Sequence, residues 1–295
     1  MKKAPLYFLL VLTMFFWAGN FHATKIALEG YGPVIIAALR FLLGTMILIM
    51  ILYWGMGKKI NLSFSRKEWW HLFLTSFTGI FLGIYFFNLG LQTTSAINGS
   101  LIVALGPAIV AILSRLFLKI KINFLQWIAI LISFIGVTIV LVNGELNRLL
   151  QLEFGIGDIY ILFMATGFAT SQIVISKHLS HVDAITTTTI TCAIGSILFL
   201  LFSLPKFLST LIPTGPLFWG SILFMGILGT GVAYGIFFYC ILQLGATTST
   251  LFLNLIPLFT VLLAFLFGEA LLVAQLVGGS ITIGGLLLFR FAGER

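Results

Sequence analysis

The chain is short of charge, and of acid above all. Only 8% of its 295 residues are Asp, Glu, Lys or Arg, and just 8 are acidic, against roughly 25% charged in an average soluble domain. Too little polar surface is present to solvate a globular protein of this length. Enzyme signatures are missing as well: there is no HExxH, no GxSxG and no cluster of acids that could work as an acid–base pair, so no catalytic role is expected. Cysteine is scarce. Cys192 and Cys240 lie far apart inside apolar runs without metal-ligand spacing, and read as buried thiols acting as small hydrophobes. No motif for a cofactor is present, and none is expected.

What fills the chain is hydrocarbon. Hydrophobic residues make up 60% of it, and the mean hydropathy is +1.17. A bilayer core takes about 20 apolar residues per helix. Ten such segments can be drawn, at 6–27, 33–54, 69–89, 96–118, 124–142, 157–177, 186–204, 217–241, 248–268 and 275–291. They are continuous runs without the alternation of a membrane β-barrel, so the fold class expected is all-α integral membrane. The first run follows Lys2-Lys3 like a signal peptide. It is nevertheless longer than the usual h-region of about 7–15 residues and precedes nine others, so it reads as the first helix.

The net charge of +8 raises the question of nucleic acid, but its distribution answers it. With ten spans, Lys2, Lys3, Lys58, Lys59, Arg66, Lys67, Arg115, Lys119, Lys121, Lys177, Arg290 and Arg295 fall on the side of the termini. Only Lys25, Arg148 and Lys206 fall on the other. By the positive-inside rule both termini are then cytoplasmic, and the positive charge belongs to a membrane surface, with no nucleic-acid partner.

The segments are also duplicated. Ser95–Lys119 lies over Gly245–Glu269 without gaps, matching Pro107 to Pro257, Ser100 to Thr250 and Ala96 to Ala246. Trp17-Ala18 and Phe168-Ala169 align at nearly the same offset. The expected organisation is two five-helix repeats, 1–145 and 155–295, joined by the 143–156 connection. Five is odd, so the second repeat enters the membrane inverted, the arrangement of secondary transporters that bind between their halves.

Intramembrane polar groups are the candidates for a solute site. Thr13, Trp17, Asn20 and Thr24 share one face of the first helix by their 4, 3, 4 spacing. Tyr85, Asn88 and Gln92 do so in the third, Asn98 and Ser100 in the fourth, and Thr248, Thr250 and Asn254 in the ninth. Thr166, Thr170 and Gln172 belong to the sixth helix and Tyr234 to the eighth. Any one of these can be explained as packing glue between helices. Pooled, they describe a pocket with aromatic walls and neutral hydrogen-bonding groups, lined by Trp17, Asn20, Tyr85, Asn88, Asn98, Tyr234 and Asn254. Arg40, inside the second run, either snorkels to the interface or contacts a carboxylate of the solute. His22 is the one histidine well inside a span, while His71, His178 and His181 are expected to be solvated near span ends. Pro107 and Pro257 are read as either hinges or static kinks of the fourth helix of each repeat. No Asp or Glu stands near the middle of any span, which argues against proton-coupled export of cations and towards facilitated diffusion or exchange.

Phe16-Trp17-Ala18-Gly19-Asn20-Phe21, Arg40-Phe41 after Pro33, and Pro257 with Gly268-Glu269 resemble the motifs of the EamA family in the drug/metabolite transporter superfamily. The first repeat departs from the last motif, carrying Leu118-Lys119. The resemblance covers essentially the whole chain. It implies a ten-helix inverted-repeat bundle in a bacterial plasma membrane, with amino acids, nucleotide-like metabolites or toxic solutes as cargo, often moved outward. The expected function is export of amino acids or related amphipathic solutes. Exchange of a nucleotide-like metabolite such as S-adenosylmethionine and multi-solute efflux are the alternatives. The expected partners are a small-molecule substrate and the lipid bilayer, with the chain as monomer or homodimer.

Overall fold

The computed structural model describes residues 4–55, 57, 62–93, 99, 102–151, 155–207, 215–266 and 272–293. Among them there is no strand. Nine helices are long and apolar enough to span a bilayer, and Ile102–Phe117 is a shorter tenth. In order they are α1 (Ala4–Leu28), α2 (Pro33–Met50) and α3, which runs as Arg66–Thr75, a π segment Ser76–Leu82 and Gly83–Thr93. Then come α4 (Ile102–Phe117), α5 (Phe124–Leu141), α6 (Ile156–His178) and α7 (Ala184–Phe207). α8 (Pro216–Leu244) contains a π segment, Ile227–Val232, and a further π turn, Ile51–Gly55, ends α2. α9 runs as Ala246–Leu251, a 3₁₀ turn Phe252–Leu255 and Ile256–Leu266, and α10 is Val273–Gly293.

Local chemistry sets the ends. Ser65 and Glu68 form a capping box that starts α3 at Arg66, ahead of its apolar run. Asn123 and Gln126 do the same for α5. The Asp158 carboxylate accepts the Gly155 N–H at 2.7 Å, and Pro33 and Pro216 occupy first-turn positions of α2 and α8, where a missing N–H costs nothing. α3 therefore begins three residues before the hydropathy alone suggests, while α2 and α5 begin where it does, and the 143–156 connection holds a short helix, Leu146–Leu150. The Arg290 guanidinium lies 5.0 Å over the Tyr7 ring, placing the start of α1 and the end of α10 on one face, here the terminal face. His71 and His178 are half-buried near this face, stacked at 4.0 Å, and so are less solvated than the sequence suggests.

Packing follows the duplication. α3 lies along α6 as α8 lies along α1; α4 meets α6 as α9 meets α1; α2 pairs with α7 and α5 with α10. A shift of about 150 residues converts each contact into another of the set, and the two five-helix repeats are inverted with respect to each other. The α5–α10 pair is the tightest. A Cβ on Gly136 would lie 2.5 Å from Thr282 N, and one on Gly285 2.6 Å from Ser133 N, so both contacts require glycine. Trp17 and Phe168, equivalent in the two halves, meet edge to face at 6.3 Å.

Candidate functional site

The site is organised by an irregular turn. In α8 the Ala233 N–H bonds to Leu228 O, five residues back, and passes over Gly229. The Gly229 carbonyl is thereby released from the helix's own ladder, as a π segment does. It accepts the Trp17 Nε1–H at 3.0 Å and an Arg40 guanidinium N–H at 3.5 Å. Arg40 Nε donates to Thr230 Oγ1 at 2.8 Å. Asn20 sits directly over Gly229, where a Cβ would overlap its amide. Its Oδ1 has no hydrogen-bond partner among the described residues.

Arg40 is the chemical centre of this arrangement. Its guanidinium touches neutral groups and packs 5.4 Å from the Phe41 ring, and among the described residues it has no carboxylate partner. A cation held inside a bundle without a counter-ion is costly and marks a place where an anion is favoured. Behind it, Tyr234 packs against Phe41 at 5.7 Å and Trp17 at 5.4 Å, and Phe237 against Trp17 at 4.9 Å, giving an aromatic wall.

Arg40 also faces a cavity of about 50 Å³, which Thr24, Pro33, Ile36, Phe87 and Asn88 line with it. The cavity lies between the end of α1 and the start of α2, towards the face opposite the termini. Metabolite sites run to about 300–1,000 Å³, while a water needs only roughly 10–15 Å³. The space has room for a few waters and is too small for a metabolite. Its polar groups are one cation, one amide and one hydroxyl against apolar walls, a set that complements an anionic group beside an apolar one.

The EamA-like transporter family matches residues 4–142 and again residues 155–291. The chain belongs to the EamA-like transporter family. This EamA-like chain is 31% identical over 291 residues to the uncharacterized transporter YyaM of Bacillus subtilis (strain 168), covering 97% of this chain and 94% of that one. An uncharacterized transporter of Archaeoglobus fulgidus is 29% identical over 285 residues, 96% of each chain. The WAT1-related chloroplastic protein At3g02690 of Arabidopsis thaliana is 26% identical over 298 residues, with 68% of its length covered. A crystal structure of another protein superposes with a TM-score of 0.81 over 99% of both chains at 17% identity, a likeness of fold alone. The protein is a multi-pass membrane transporter.

Of the residues that sequence singles out in this EamA-like bundle, the fold gathers Trp17, Asn20 and Arg40 at Gly229, with Tyr234 against Trp17. Asn88 joins Arg40 on the cavity wall and donates to Pro33 O at 3.3 Å. Tyr85 is elsewhere, packed on Phe202 of α7 at 5.4 Å. Asn254 turns to α5, donating to Ser133 Oγ at 2.9 Å. Asn98 lies outside the described residues. Pro107 and Pro257 are each the second residue of a regular helical stretch that follows an irregular one, at Leu105 and at Phe252–Leu255. Sequence reasoning missed Gly229 and Thr230. The glycine-dense run Gly226, Gly229, Gly231 was the available signal, since glycine in a span often marks a close approach.

Proposed function

We propose that this chain is a secondary transporter that moves small amphipathic metabolites across a bacterial plasma membrane by alternating access, with export of amino acids as its leading activity. The halves 1–145 and 155–295 move against each other, and the terminal face is cytoplasmic. The path lies inside one chain, so a single protomer suffices. The observation that carries the reading is Arg40, a cation without a carboxylate partner on the wall of a cavity that otherwise offers an amide, a hydroxyl and hydrocarbon. A carboxylate on the solute neutralises that charge, and the apolar walls take its side chain.

The test is counterflow in liposomes with matched pairs, each an amino acid and the amine left by removing its carboxylate. Accumulation of the amino acid without its amine is the expected result. Preference for the amine, or no counterflow of any carboxylate-bearing solute, would sink the reading.

A further inference from the structure

Three hydrogen bonds climb one face of α9 from the terminal face towards mid-membrane. Thr247 Oγ1 donates to Ser114 Oγ of α4 at 3.1 Å, Thr250 Oγ1 to Gln172 Oε1 of α6, and Asn254 Nδ2 to Ser133 Oγ of α5 at 2.9 Å. The spacings of three and four residues keep the donors on one stripe, roughly 5 Å apart along the axis. The stripe starts at the terminal face because α9 begins there, while α4 and α6 end there. Asn123, just beyond α4, donates to Ala292 O at 2.8 Å and so ties this region to the end of α10. The cavity beside Arg40 lies towards the opposite face.

Beyond these three bonds, several polar atoms of the seam have no partner among the described residues. Gln172 Oε1 meets Thr250, and its Nε2 has no partner among the described residues. The same holds for Asn254 Oδ1 and for the hydroxyls of Ser176, one turn beyond Gln172, and Ser249. Gln172 and Asn254 are 0% and 1% exposed, and an unpaired buried polar group is a standing cost of the closed arrangement. That cost disappears if the seam opens and these groups meet water or solute. The means to open is built into α9: its first segment, Ala246–Leu251, is joined through a 3₁₀ turn to a stretch starting at Ile256, whose second residue, Pro257, has no N–H to give Leu253 O. All six paired side chains are uncharged, in contrast to Arg40.

We propose that this stripe is the terminal-face half of the solute path, shut in this structure, and that Gln172, Thr250 and Asn254 take the uncharged hydrogen-bonding groups of the cargo when α9 swings away. The inference rests on the transporter reading and not on the identity of the cargo.

The test uses the full-length protein with Cys192→Ala and Cys240→Ala, into which Thr250→Cys is introduced. Thr282→Cys, within the tight α5–α10 contact, serves as the static comparison. A membrane-impermeant maleimide applied from the terminal face should label Thr250→Cys severalfold faster than Thr282→Cys. Equal rates, or no labelling of Thr250→Cys, overturn the proposal. Gln172→Leu provides a second arm. As a gate, it should raise Tm by removing the unpaired amide and slow flux by sealing the seam. A lowered Tm with unchanged flux assigns Gln172 to packing alone. Because labelling needs no solute, failure of the amino-acid assay leaves this result readable.

Discussion

Asn20 of α1 rests on the backbone of Gly229 in α8, where no side chain larger than hydrogen fits beneath its amide, and the repeat reproduces the contact with Ser171 of α6 on Gly79 of α3. Both glycines sit in π segments, and at both the N–H four residues on bonds five residues back, Gly83 to Thr78 O and Ala233 to Leu228 O. Gly229→Ala should therefore overpack the α1–α8 contact and destabilise the protein by about 1–3 kcal/mol, read as a lower Tm in detergent. Asn20→Ala should recover much of that loss in the double variant, because removing the amide vacates the space. A double-mutant cycle measures this coupling, and strictly additive effects would show that the two residues do not press on each other.

Asn20→Ala alone should reduce transport while leaving expression intact, since its Oδ1 is unpaired at the site. Initial-rate flux in proteoliposomes at matched protein content checks this. Wild-type kinetics would remove Asn20 from the site.

Arg40→Gln should weaken the apparent affinity for a carboxylate-bearing solute by roughly 10- to 100-fold, the worth of a hydrogen bond to a charged group. Arg40→Lys keeps the charge but loses the forked contact with Thr230 and Gly229, and should fall between Gln and wild type. The measurement is KM for flux, with the matched amine as control.

Cys192 and Cys240 are buried free thiols. An impermeant maleimide should label neither in the folded protein and both after denaturation, which mass spectrometry reads directly.

The excess of Lys and Arg on the terminal face predicts a cytoplasmic C-terminus. A C-terminal green fluorescent protein fusion should fluoresce and an alkaline phosphatase fusion should be inactive; the reverse pattern would invert the assigned orientation.

Much of the bundle was legible in the sequence. Ten apolar runs follow from the cost of exposing polar groups to hydrocarbon, which acts residue by residue, and the match of Pro107 to Pro257 follows from the duplication of one helical unit. The polar face of α1 was legible for the same reason: Trp17 and Asn20 fall on one side of any regular helix. Tyr85 and Asn254 read alike in the sequence, yet one packs on Phe202 and the other bonds to Ser133 in the seam along α9. Their helices were placed by hydropathy, but the rotation of those helices was not.

Hydrophobicity and charge thus determined from the sequence alone that this chain crosses a membrane as a duplicated helical bundle. Which groups meet inside was decided by the tertiary structure. The π segment at Gly229 frees a carbonyl for Trp17 and Arg40 because α8 is held between α1 and α2. Its glycines signal a close approach but not the partner: which side chains press on α8 is settled only once helices from the two repeats have folded together.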